Sequence, residues 1–158
     1  MNITAQQQCN SRRGTTVIEV AFVLPVFLFF LLALIEFGHA QMVLNVLRSA
    51  CRTGVRIGST EGITTAVVEN KVREVISSAI NANSVDVIVK DAGVFDTEGP
   101  YPETSADFAT LPEIDLSETE PKQLFMVHAS VAYNDIALVP MAFMDGVVLN
   151  AQSFIRHE

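Results

Sequence analysis

From Val20 to Ile35 the chain reads VAFVLPVFLFFLLALI, with no charged or strongly polar side chain. A run this apolar must be covered, either by protein or by lipid. A straight bilayer-spanning helix needs about 20 residues, and Thr15 to Ile18 before the run and Phe37 to Val43 after it supply the missing length. Glu19 and Glu36 then fall near the two ends. Pro25 would break a soluble helix, but a membrane helix tolerates it because neighbours or local distortion satisfy the freed carbonyl. With 158 residues, the chain has room for this span and one modest domain, not for two independent cores. The sequence therefore predicts a single-pass membrane protein.

Arg12 and Arg13 directly precede the run, and residues 1–14 contain no Asp or Glu. Positive charge beside a first span stays cytoplasmic, which predicts a cytoplasmic N-terminus and an outer C-terminal domain. Arg48, Arg52 and Arg56 lie beyond the other end, but too far from the span to reverse this. The run is long for the core of a secretory signal peptide and no A-x-A site follows it, so a retained anchor is expected. A net charge of −8 argues against nucleic acid, which needs a clustered cationic surface. Cys9 and Cys51 flank the span on opposite sides and would face different compartments, so no disulfide between them is expected.

Glu19 is costly near hydrocarbon unless it is paired, which makes it a functional candidate by position; the competing reading places it in the headgroup region, reaching water. The string Arg12-Arg13-Gly14-Thr15-Thr16-Val17-Ile18-Glu19 resembles the class III leader of type IV pilin-like proteins. In such leaders a prepilin peptidase cuts after a glycine behind basic residues, and a glutamate stands fifth in the processed chain. The resemblance implies a cut after Gly14, a new N-terminus at Thr15, and Glu19 as that glutamate. Val20 stands where Flp-type prepilins often carry tyrosine, and Thr15 where type IVa pilins carry phenylalanine.

More specifically, RRGTTVIEVAFVLPVFLFFLLALIEFG followed by RSACRTGVRIGS is similar to the TadE-like family, minor pseudopilins of the tight-adherence (Flp-type) pilus system. The ending Phe154-Ile155-Arg156-His157-Glu158 resembles the R-x-E close of many such chains. The resemblance implies a non-enzymatic pilus-assembly subunit in the inner (cytoplasmic) membrane, with a periplasmic head. Its implied partners are the lipid bilayer, prepilin peptidase, other pilin-like subunits and inner-membrane pilus assembly proteins; no cofactor is implied. A freed ammonium at Thr15 would lie within reach of a neighbouring subunit's Glu19, and two charges each costly in lipid become tolerable as a pair. Two rival readings are a signal-anchored envelope protein whose acidic head binds a ligand or partner, and a pseudopilin of a type II secretion or competence system.

The expected fold is α+β: a long N-terminal transmembrane helix continuing into a pilin-like head. Residues 1–14 form the leader, 15–36 the span, 37–58 a helix extension and 59–158 the head. Ala40, Val43, Leu44, Leu47, Cys51, Gly54 and Val55 recur at helical spacing, so one helix should run from about Thr15 to Gly58. Ala50, Gly54 and Gly58 make a small-residue strip for close packing. Arg48, Arg52 and Arg56 make a basic stripe, either solvated or docked on acidic sequence. A second helix is expected over about 63–80, from Val68, Val72, Val75, Ile76, Ala79 and Ile80, stopped by Asn81-Ala82-Asn83. Val85, Val87 and Val89 then alternate with Asp86, Ile88 and Lys90 as a strand. Two further strands are expected from Leu124 to Tyr133 and after the Asp145-Gly146 turn, closing a small antiparallel sheet.

Between them, residues 91–121 hold four prolines, nine acidic residues and no basic one, and read as a solvated surface loop. Asp96, Glu98, Glu103 and Asp107 could be imagined around calcium, but the spacing of a calcium-binding loop is missing. His39, His128 and His157 are scattered, with no H-x-x-x-H, C-x-x-C, G-x-S-x-G or phosphate-cradling glycine loop. Catalysis is not expected.

Overall fold

A computed structural model describes residues 4–97, 101–102 and 104–158, with backbone only for residues 4–14 and 105. Helix α1 spans Thr4–Gly58 with Pro25 inside it. It starts upstream of the predicted Thr15, in a stretch whose glutamines and arginines favour helix. The chain divides after Gly38 into an N-terminal unit and a head, His39–Glu158. In the N-terminal unit the side chains from Thr15 to Ile35 are exposed, Ala33 alone being half-buried. This is the one described helix long and apolar enough to cross a membrane, and none of its apolar window is buried inside the protein. A core helix would be covered; this one is bare.

The head takes its core from the second half of α1, from α2 (Thr65–Ser77) and from one face of a three-stranded sheet. Strands β1 (Val85–Asp91), β2 (Leu124–Ala132) and β3 (Val148–Arg156) pair antiparallel in the order β1-β2-β3. Register is set by the alternation seen in the sequence. Val85, Val87 and Val89 stand opposite Val131, Ala129 and Val127, and Ala151 opposite Ala129. A slip of one residue would turn these valines to the wrong face. Helix α1 meets them with Val43, Leu47, Ala50, Cys51 and Val55, and α2 adds Val68, Val72 and Ile76. Phe125 is fully buried among them; a side chain of that size contributes about 1.5–3 kcal/mol by leaving water.

The small-residue strip serves the head's own packing. A Cβ on Gly54 would stand 2.5 Å from Val72 Cγ2, and one on Gly58 3.1 Å from the Phe125 ring. The turn from α2 into β1 is latched by Arg73, whose Nη1 donates to the carbonyls of Ala82 (3.2 Å) and Val85 (3.0 Å). Helix α2 ends at Ser77, before the predicted Asn81-Ala82-Asn83 stop; Asn81 instead caps the short turn Ala82–Ser84, accepting from Asn83 N at 3.1 Å. At the Asp145-Gly146 turn, Gly146 takes φ +76°, a conformation that costs glycine nothing.

The acidic segment differs from its sequence reading. It is not simply a solvated loop, because Ala92, Phe108, Leu111 and Leu116 are buried. Ala92, Phe108 and Leu111 pack on Met126, on the sheet face turned away from the helices. Leu116 joins the main core, and Thr65 holds the chain there by donating to the Ile114 carbonyl at 2.8 Å. A short helix α3 (Ser105–Ala109) forms within it, capped reciprocally by Thr104 and Asp107. The segment is thus a third layer over the sheet. Its few apolar residues are spaced widely enough for acidic and proline residues to dominate any average of composition.

Candidate functional site: the exposed amino-terminal helix

The residues singled out in the sequence sit on one helix. Thr15 and Glu19 are four residues apart and therefore on one face, a turn from each other. Both are exposed. Among the described residues Glu19 makes no hydrogen bond or ion pair; its surroundings along the helix are Val20, Val23, Leu24 and Phe27, all exposed. Gly14 lies within α1, and the side chains of Arg12 and Arg13 are outside the described residues. A carboxylate presented from an otherwise apolar and uncovered helix is suited to take a cation from another chain. Among the described residues of its own chain it has no such partner.

Glu36, at the far end of the span, is 3% exposed. The sequence held a signal for this: positions 36, 40, 43 and 47 continue one helical stripe, and Ala40, Val43 and Leu47 are buried. Beyond it, Arg48, Arg52 and Arg56 are exposed. None of them forms a salt bridge with a described residue of the acidic segment or of any other part of the chain. The acidic segment is tied instead by other cations. Arg156 clasps Asp96 with two bonds (2.7 and 3.1 Å), and Lys90 pairs with Glu113 at 3.6 Å. The chain end is held too, with Glu158 N donating to the Ser59 carbonyl at 3.2 Å.

Of the four carboxylates considered for calcium, Asp96 is thus engaged by Arg156, and Asp107 by Thr104 at 2.7 Å. Glu98 and Glu103 lie outside the described residues. No group of three or more His, Cys, Asp or Glu able to hold a metal occurs among the described residues. Cys51 is fully buried, with its thiol directed at the Ala151 carbonyl at 3.4 Å. Burial pushes that thiol up to about 12. It is inert packing in the head, as its place on the apolar face of α1 suggested; Cys9 lies in the part described by backbone alone.

His128 was legible as a strand residue but not as a buried one. It is 1% exposed, lies 5.3 Å from the Phe108 ring, and has neither ring nitrogen hydrogen-bonded among the described residues. Burial lowers its pKa from the ordinary 6.5, against a smaller opposing pull from Asp86. The folded head therefore holds the neutral ring, while the unfolded chain takes up a proton below about pH 6.5. Stability contributed by this site is present above that pH and is lost as the pH falls through it. Thermal midpoints measured from about pH 7.5 down to about pH 5.5 should fall, and His128→Phe should flatten the fall; an unchanged slope in that variant would refute the assignment.

Fold and site together define a class: a single-span, bitopic type of chain, with an uncovered apolar helix carrying one exposed acid near its start and an α+β head. The family model described as TadE-like protein matches residues 14–56, the segment that runs from the glycine before Thr15 through the span and most of the helix extension. No curated protein and no solved structure matches the chain significantly. The head, apart from its α1 portion, lies outside the match.

Proposed function

We propose that this chain is a non-enzymatic minor pseudopilin that takes part in assembling a Flp-type, tight-adherence pilus. It sits in the inner membrane with its N-terminus cytoplasmic and its head outside. Prepilin peptidase cuts after Gly14, helped by Arg12 and Arg13, and frees the amine of Thr15. That amine then pairs with Glu19 of an adjoining pilin-like subunit, setting the register of helix against helix. Its partners are lipid, the peptidase, other pilin-like subunits and inner-membrane assembly proteins. The observation that carries this reading is that the TadE-like match begins at Gly14 and covers the helix on which Glu19 is exposed and, among the described residues, unpaired.

The test is the mass and N-terminal sequence of the protein isolated from native membranes. A chain beginning at Thr15, and a chain beginning at Met1 when the peptidase gene is deleted, is the expected pair of results. A mature chain that retains residues 1–14 in cells with active peptidase would overturn the processing step and with it the pairing.

A further inference from the structure

The connection from β2 to β3 carries an apolar stretch that the head does not absorb. Ile136 to Met144 reads IALVPMAFM, nine residues without one polar side chain. Ile136 and Met141 turn inward and are buried, but Leu138 is 62% and Phe143 69% exposed. Val147 and Val148 beside them are also exposed. The loop is held in place: Tyr133 N donates to the Val147 carbonyl at 2.8 Å, and Tyr133 Oη to the Val139 carbonyl at 3.3 Å.

Its position in the head follows from how α1 runs along the sheet. Gly58 lies at Phe125, Gly54 at Val127, and Cys51 at Ala151, which pairs with Ala129. Helix and β2 therefore run in opposite directions. From Cys51 back to Val43 the helix rises about 12 Å, and from Ala129 on to Tyr133 the strand advances about 13 Å. The loop thus leaves the sheet at the level of Val43, and Ile136 shares a core cluster with Val43 and Leu47. This is the end of the head at which the chain enters it, at His39, directly after the apolar run.

We propose that Leu138 and Phe143 form a membrane-interface contact, in which the loop 136–144 rests its apolar side chains among lipid headgroups and upper acyl chains while residues 15–36 span the bilayer. Interfacial contact of this kind is driven by apolar area and tolerates polar backbone, because the headgroup zone is hydrated. Asp135 and Asp145 bracket the stretch, so the contact is with the apolar boundary and not with anionic headgroups. The effect is to restrain the head on the bilayer surface while the subunit stays in the membrane. The inference needs only the anchored chain, and stands apart from the pilus reading.

The chain contains no tryptophan, so a single introduced one reports its own surroundings. Full-length Phe143→Trp, Leu138→Trp and Tyr101→Trp would be reconstituted into phosphatidylcholine vesicles with or without brominated acyl chains. Tyr101 is half-exposed and stacks on Phe95, which contacts Phe154 near the opposite end of the sheet. Flotation with the vesicles scores anchoring separately. The expected result is blue-shifted emission, largely quenched by brominated lipid, at positions 143 and 138, with neither effect at 101. Unshifted, unquenched emission at 143 and 138 in floated protein would overturn the proposal. Blue-shifted but unquenched emission, with chemical cross-links between copies through this loop, would also overturn it and assign the face to a second subunit. Should Phe143→Trp fail to fold, Leu138→Trp decides alone.

Discussion

Glu19→Gln should cut recovery of this chain in complexes with other pilin-like subunits by about 100-fold or more while leaving its insertion unchanged. A pair of charges in a low-dielectric setting is tolerable because each offsets the other's desolvation. Removing one partner strands the second, which costs about 3–5 kcal/mol, and each 1.4 kcal/mol is about a factor of ten in the equilibrium. The exposed position of Glu19 on a helix uncovered by its own chain means the substitution disturbs nothing internal. Insertion should if anything become easier, since an amide costs less in lipid than a carboxylate. Co-purification from membranes, with flotation as the control, measures both. Wild-type yields of the complex with Gln at position 19 would remove the pairing from the scheme.

The second large effect belongs to the head. Gly54→Leu should lower the thermal midpoint of the detergent-solubilised protein by about 5–10 °C, or prevent the head from folding. Its Cβ alone would stand 2.5 Å from Val72 Cγ2 and 3.5 Å from Val127 Cγ1. Val72 is stiff, being β-branched and in a helix, so the clash is relieved only by moving α2 away from α1. The gain in helix propensity over glycine, about 1 kcal/mol at most, is too small to compensate. Gly38→Leu is the matched control, because a Cβ there meets nothing within 4 Å; it should leave the midpoint where it is. Equal midpoints for the two variants would mean that the strip does not set the approach of α1 to α2.

Much of the architecture could be read from periodicity. The strand alternation at Val85–Val89 matched the observed faces, and the stripe from Ala40 to Val55 is the buried side of α1. The second helix was expected over about 63–80 and is shorter, Thr65–Ser77, followed by separate turns. Its apolar pattern runs past the point where the backbone stops being helical. The acidic segment was the clearest failure. Nine carboxylates and four prolines concealed four side chains, Ala92, Phe108, Leu111 and Leu116, that are buried. Composition averages over a window, whereas burial is settled side chain by side chain. The Thr104-x-x-Asp107 cap was the local signal that a turn of helix lay inside it.

The candidate site was legible because it is linear. Arg12, Arg13, Gly14, Thr15 and Glu19 fall within eight residues, and a helix needs only local spacing to put Thr15 and Glu19 on one face. Burial of His128 could not be read as directly, since it depends on which surface lies across from it.

The sequence by itself determined that the chain has one helix too apolar to leave bare, an acid near its start, and two elements with helical and three with strand periodicity. These are properties of neighbouring residues along the chain, and they survive whatever the rest of the protein does. Only the tertiary structure decided that the acidic segment roofs the outer sheet face over His128, that Gly54 and Gly58 are spent on contacts within the head, and that Leu138 and Phe143 emerge where the chain enters the head. Those outcomes turn on the antiparallel course of α1 along β2, a pairing of segments some eighty residues apart, and no local pattern of side chains encodes which distant surface a segment will meet.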